Sequence, residues 1–366
     1  MFNERISPKQ LFALMVLFEL GTALVVPIGL ESGHAVWLAI LLTLPGGILV
    51  YLVYNDLYRQ FPDQIISGYA RIILGRWLGW PLGLFYVPLL IFNASRNLRE
   101  AGDLLSAASY DVTPLFFLDG MMILAAVYIL RKGIEVFART AEIYLIVILI
   151  LGLTCDFVVM FAGIVDLKNL FPIVAQDWKQ ALSSAYPNIL IFPFGELICF
   201  TTILPHLNKS LKSTKAGTLA VIFSAILLCF THAIEMSVLG ENIYSRATFP
   251  MFTTVTLVNV ANFIQRLDAL VILTLIIGVF FKMTIYCYAA MTITADLFNV
   301  QDYRQLAIPV GIIALFGSFM SAENYPVHMD EGKVFMRFFL PFISLVVPVL
   351  LFAVHHIRKK WGLYPK

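Results

Sequence analysis

Glu196 and Lys282 are the chemically loaded residues of this chain, because each stands inside a long apolar run. An ionised side chain in such surroundings is costly, so it must face water, an opposite charge or a proton. Glu196 closes the string Phe192-Pro193-Phe194-Gly195-Glu196, and an earlier run carries Gly21-Thr22-Ala23-Leu24-Val25-Val26-Pro27-Ile28-Gly29. Proline removes a backbone donor and glycine weakens a helix, so both runs should break there, with the opened backbone lining a cavity. Each break exposes N–H groups at one half-helix end and C=O groups at the other, ends of opposite partial charge. A zwitterion suits them: its carboxylate accepts from freed amides, and its ammonium meets freed carbonyls. The ligand-binding candidates are therefore Gly21, Thr22, Pro27 and Gly29, with Phe192, Pro193, Gly195 and Glu196. Glu196 remains open to two roles, ligand contact or acceptance of bonds from the freed amides.

A second group of polar residues is Asn93, Arg96, Asn97, Arg99, Glu100 and Asp103. On a helix these fall within an arc of roughly 160°, so one face meets protein or water. Arg96 with Glu100 and Arg99 with Asp103 stand at i,i+4, where the charges neutralise each other. Arg266 and Asp268 begin a later run and could join that network. The cluster reads either as an ion-pair brace between helices or as the wall of a ligand path. Asn93 and Asn97, one turn apart and deeper, are the better ligand candidates. Thr284 and Tyr288 form a further polar strip, facing either the breaks or a neighbouring helix. The four cysteines lie in apolar runs without metal or disulfide spacing and read as buried thiols. No nucleotide-binding or metalloprotease motif is present, so neither cofactor nor metal is expected. No nucleophile with a neighbouring base marks an enzyme. A net charge of +2 gives nucleic acid no purchase.

The elements that must position these residues follow from composition. Apolar residues make up 60% of 366, which fills about ten spans of the ~20 residues a bilayer requires. Hydropathy places the spans near 11–31, 36–57, 82–107, 114–131, 141–163, 186–206, 216–239, 264–292, 306–321 and 334–356. The expected fold is all-α: a polytopic membrane protein of ten transmembrane helices in one domain over 1–366. The longest polar connection, about 166–184, is too short for a soluble domain, and the first span reads as a retained helix. Alternate loops hold sixteen Lys and Arg on the side of both termini against five on the other, which predicts cytoplasmic termini. Five spans per half invert the second half relative to the first, giving inverted repeats over about 8–165 and 184–358. Helices 1 and 6, the broken ones, then correspond.

Ile6-Ser7-Pro8-Lys9-Gln10, the Phe192 to Glu196 string, Gln265-Arg266-Leu267-Asp268 and the ten-span layout resemble the B subunit of bacterial spore germinant receptors, within the amino acid/polyamine/organocation transporter superfamily. The likeness covers essentially the whole chain. It implies the five-plus-five, leucine-transporter-like fold and a nutrient germinant bound in the spore inner membrane, together with A and C subunits. In that fold helices 1 and 8 meet around a position that a coupling sodium occupies in some members. Lys282 lies roughly 21 Å inward of Asp268 along its helix, at 1.5 Å per residue, and Glu19 sits at similar depth. The expectation is that the Lys282 ammonium replaces the ion with Glu19 as partner; the alternative is that Lys282 snorkels to the surface. Two functions stay open. One is a receptor subunit that senses a small nutrient, an amino acid first, and signals with its partners. The other is a stand-alone proton- or sodium-coupled amino acid permease.

Overall fold

The structure is a computed structural model that describes residues 4–108, 110, 112–208, 212–258, 267–320 and 325–362. Arg266, one of the expected network residues, lies outside them. The described residues are helical throughout, apart from turns and one isolated parallel bridge between Ile6 and Leu207.

Helix α1 (Pro8–Leu20) starts at a reciprocal cap: Gln10 N donates to Ser7 Oγ at 3.2 Å, and Ser7 N donates to Gln10 Oε1 at 2.8 Å. Pro8 follows the cap, where its missing N–H costs nothing. Regular helix stops at Leu20, and turns occupy 21–26. Gly29, at φ 60°, takes the left-handed conformation that its lack of a Cβ permits. A short 3-10 turn over Leu30–Ala35 leads into α2 (Val36–Gln60).

The chain continues through α3 (Ile66–Leu74), α4 (Arg76–Ala108), α5 (Leu115–Lys132), α6 (Ile134–Phe161) and the short α7 (Ala175–Ser184). A π turn over Ala185–Ile189 follows, then 3-10 segments over Phe194–Thr202 and Leu204–His206, so 186–206 is not one regular α-helix. Next come α8 (Ser213–Tyr244), bent at Gly240, α9 (Pro250–Thr256), α10 (Asp268–Phe298), α11 (Ala307–Met320), α12 (Tyr325–Val334) and α13 (Val347–Lys360). Seven helical stretches are long and apolar enough to cross a membrane, among them α4, α6, α8, α10 and the run 327–360.

Two helices begin earlier than hydropathy places them. α4 starts at Arg76 and α6 at Ile134, each straight after a glycine with positive φ, Gly75 at 84° and Gly133 at 95°. Hydropathy discounts the charged first turns, yet the backbone is already helical there because the glycine sets the start.

α10 is the enclosed element, with 21 of its 31 residues buried, against 9 of 28 in α6, whose apolar face is left for lipid. The start of α1 and the end of α13 lie on one face. There Ile6 pairs with Leu207, Ile134 N donates to Glu4 Oε2 at 3.0 Å, and Lys359 Nζ donates to Gln60 Oε1 at 3.0 Å.

Candidate functional site

α10 crosses the end of α1 at minimal separation. A Cβ on Gly278 would lie 2.6 Å from the Gly21 carbonyl oxygen, and one on Gly21 would lie 2.8 Å from Lys282 Cδ. Glycine on both sides lets the Lys282 side chain run beneath the turn at Gly21-Thr22. Its ammonium ends 2.6 Å from Glu196 Oε2, with both side chains almost wholly buried. It also donates to Thr22 Oγ1 at 3.4 Å and sits 4.2 Å from the centre of the Phe192 ring. Thr22 Oγ1 in turn donates to Asn97 Oδ1 of α4 at 3.4 Å. Residues from the 21–29 segment, the 192–206 segment, α4 and α10 thus converge on one buried ion pair. Phe18 packs against Phe200 and Tyr286 and closes the junction toward the terminus face.

The two irregular segments are held in place by their neighbours. The Gly195 carbonyl accepts from Tyr54 of α2 at 3.1 Å, and the same hydroxyl reaches the Ser344 carbonyl. A Cβ at Gly195 would meet Ser344 Oγ at 3.0 Å, so the turn lies close against the 342–346 segment. Asn188 Nδ2 donates to Glu31 Oε2 at 2.8 Å, which links the approach to one segment with the exit from the other. Pro27 and Gly29 are half-buried, and Pro193 is buried behind Phe192. Asn97 Nδ2 donates to the Asn93 carbonyl at 2.8 Å; Asn93 Nδ2 is buried with no hydrogen-bond partner among the described residues. The Thr284 hydroxyl, half a turn from Lys282, is in the same position.

Several expected groupings come out differently. Glu19 does not pair with Lys282: it is fully buried against α8 beside Ser224, with neither oxygen in hydrogen-bond geometry among the described residues. Depth along two helices matched, but Glu19 points from α1 toward α8 while Lys282 approaches from the α10 side. Tyr288 turns away from the breaks, its hydroxyl lying 2.8 Å from His206 Nε2, and His206 Nδ1 lies 3.1 Å from the Glu4 carbonyl. Glu4 is also bonded by Tyr303 at 2.8 Å and paired with Arg304, so Tyr288 belongs to a polar latch on the terminus face.

The α4 charges pair as expected, Arg99 Nε with Asp103 at 3.0 Å and Arg96 with Glu100 at 3.9 Å. Their cross-helix bonds go to α11 and α12: Arg96 donates to the His328 carbonyl at 2.8 Å and Arg99 to the Ser318 carbonyl at 3.2 Å. Ser318 then donates to Asp119 of α5 at 2.8 Å. Asp268 opens α10, half-buried. The sequence reading passed over His206, and it passed over His232 and Glu235, a buried i,i+3 pair on α8. The signal that finds them is an ionisable group on the buried face of an apolar helix.

The arrangement offers an ammonium and a carboxylate side by side between two opened backbone segments, which is chemistry for exchanging partners with a small charged ligand. The family model described as spore germination protein matches residues 5–326. The chain belongs to the spore germination protein family. Its similarity to spore germination protein KB of Bacillus subtilis (strain 168) is 34% identity over 362 residues, covering 98% of this chain and 97% of that one. Spore germination protein A2 of the same organism is 25% identical, covering 85% and 86%. Among solved structures, MHP1, a nucleobase-cation-symport-1 family transporter with bromovinylhydantoin bound, superposes with a TM-score of 0.69 at 13% identity, covering 96% of this chain and 78% of that one. MhsT in complex with L-phenylalanine gives 0.64 at 14% identity, covering 96% and 98%. This germination protein is therefore a multi-pass membrane protein with a transporter fold, and its family and fold are those of germination proteins and transporters rather than enzymes.

Proposed function

We propose that the chain is the membrane subunit of a spore nutrient germinant receptor, binding an amino acid where residues 21–29 and 192–196 meet. The observation that carries this reading is the buried Lys282–Glu196 pair, 2.6 Å apart beneath Thr22. A zwitterion carries the same two charges. Its carboxylate replaces Glu196 at Lys282, its ammonium takes up Glu196, and the freed backbone ends complete the shell. The Phe192 ring, half-buried over the ammonium, is the element that must move to admit it. A fold neighbour that holds L-phenylalanine favours an amino acid over a sugar.

The reading includes ten spans in a five-plus-five inverted repeat over one domain, with spans 1 and 6 interrupted. The end of regular helix at Leu20 and the 3-10 geometry from Phe194 support it. Lys282 serves where other transporters of this fold hold a coupling ion, with Glu196 as its counter-charge. The location is the spore inner membrane with cytoplasmic termini, and A and C subunits complete the receptor.

The test is a thermal-shift panel of single amino acids on the purified chain. A binder at 100 Kd adds about 2.7 kcal/mol, and the shift should vanish in Gly195→Leu. No shift with any amino acid would refute the site. A stand-alone permease is the second reading, favoured by the likeness to the MHP1 transporter. Accumulation of a labelled amino acid in proteoliposomes holding this chain alone would establish it, whereas germination rescued only with the partner subunits present supports the receptor.

A further inference from the structure

We infer that His232 and Glu235 form a proton-binding site whose occupancy is relayed through Tyr244 to the backbone of the 21–29 segment. The site is separate from the Lys282–Glu196 junction and stands whether or not an amino acid binds there. His232 is fully buried, and its Nε2 lies 2.9 Å from the Ala23 carbonyl oxygen. A carbonyl only accepts, so Nε2 carries a proton in every state. On the other side of the ring, Nδ1 is 2.9 Å from Glu235 Oε2 and 2.9 Å from the Tyr244 hydroxyl. That hydroxyl is also 3.3 Å from the Ile28 carbonyl, to which it donates. Glu235 is buried, and beside the Oε2 contact with Nδ1 its Oε1 has no hydrogen-bond partner among the described residues.

The proton count follows from these positions. A phenol has one proton to give, so Tyr244 serves either Ile28 O or His232 Nδ1, never both. With one proton shared between Glu235 and Nδ1, the Nδ1 lone pair is occupied and Tyr244 keeps its bond to Ile28. When that proton leaves to water, Glu235 is a carboxylate, Nδ1 is bare, and the Tyr244 proton turns to Nδ1. The Ile28 carbonyl then loses its partner. Loading and unloading one proton thus makes and breaks a bond at the far end of the segment, while His232 keeps hold of Ala23 at the near end.

The surroundings are acidic. Asp156 of α6 accepts from Thr231 Oγ1 at 2.9 Å, next to His232 in sequence, and Glu19 of α1 lies two turns back along α8 beside Ser224. Toward the opposite end stand His34, Glu241 and Asp177, with His34 at 3.7 Å from Glu241 and 3.4 Å from Asp177. His34 and Glu241 border a cavity of about 520 Å³, lined also by Lys168, Asn169, Leu239 and Gly240. Leu239 is seven residues, or roughly 10 Å, beyond His232 on α8. Solvent protons therefore have an approach from the face opposite the termini.

The experiment uses the full chain in liposomes, with Val26→Cys as a reporter on the half-buried part of the segment and Cys229→Ser removing the half-buried native thiol. Maleimide labelling is measured from about pH 5 to 8, where histidine-linked sites change charge. Each rate is divided by that of a cysteine at exposed Leu167, which cancels the thiol's own ionisation. The expected result is a change of about fivefold or more across the range, the low end of ordinary site-to-site coupling. Glu235→Gln should flatten the profile. Tyr244→Phe should flatten it as well while leaving intact the carboxylic-acid infrared band that titrates in the parent. A flat parent profile, a parent-like profile in Tyr244→Phe, or a parent-like profile in Glu235→Gln overturns the inference. Should Glu235→Gln fail to fold, the parent and Tyr244→Phe decide it between them.

Discussion

Removing the Lys282 ammonium strands a carboxylate. In Lys282→Met the side chain keeps its length and fills the passage under Gly21, but Glu196 is left buried without its 2.6 Å counter-charge. Breaking a buried pair from one side costs about 3–5 kcal/mol, because the remaining charge has no compensation. Loss of the ammonium over the Phe192 ring, 4.2 Å away, adds about 2 kcal/mol at a desolvated site. Glu196→Gln alone should also destabilise, by about 3 kcal/mol, since it leaves the ammonium facing a neutral amide. The double variant Lys282→Met/Glu196→Gln removes both charges together and should be no less stable than Lys282→Met alone, a coupling of about 3 kcal/mol between neighbouring sites. Unfolding of the four proteins in mild detergent, followed by heat or by added SDS, gives the cycle. Additive losses in the double variant, or a Lys282→Met protein as stable as its parent, would mean that the two charges are not held against each other.

Other substitutions test the geometry around that pair. Gly278→Ala places a methyl 2.6 Å from the Gly21 carbonyl oxygen, a backbone atom with little freedom to move, and should cost about 1–3 kcal/mol in the same unfolding assay. Gly195→Leu meets Ser344 and the Leu190 carbonyl and should leave accumulation in the membrane intact while abolishing the nutrient response, read by germination of spores carrying the variant. Arg304→Ala frees Glu4 from its ion pair and should raise trypsin cleavage at Arg5 or Lys9 several-fold without changing the thermal midpoint by much, because the pair is partly exposed. Ser7→Ala removes the cap of α1 and should cost about 1 kcal/mol.

Glu196 and Lys282 were legible as individual residues, since any charge in an apolar run demands an explanation. Their pairing was not. Position along a helix follows from counting at 1.5 Å per residue, but the direction in which a side chain leaves a helix depends on where its neighbours stand. Glu19 and Lys282 match in depth and still diverge, whereas Glu196, 86 residues before Lys282 in the same half of the chain, is the one that meets it. Tyr288 illustrates the same limit: it shares a helix face with Thr284, yet its long ring carries the hydroxyl a turn farther, to His206. Pro27, Gly29, Pro193 and Gly195 were easier to read, because what they do to the backbone is local and needs no knowledge of the partner. His232 and Glu235 stand i,i+3 on α8, but their meaning lies in the Ala23 and Ile28 carbonyls, which no side-chain pattern announces.

The rung between Ile6 and Leu207 couples two stretches that are 201 positions apart in sequence. Ile6 N donates to the His206 carbonyl at 2.9 Å and Asn208 N to the Ile6 carbonyl at 3.1 Å, so the foot of α1 and the tail of the 192–206 stretch are stitched through main chain, which substitution of side chains leaves in place. Swinging one outward must drag the other with it. Any tilting of the molecule toward the face that holds its ends would therefore turn these two feet as a single crank, with Lys282 near its axle.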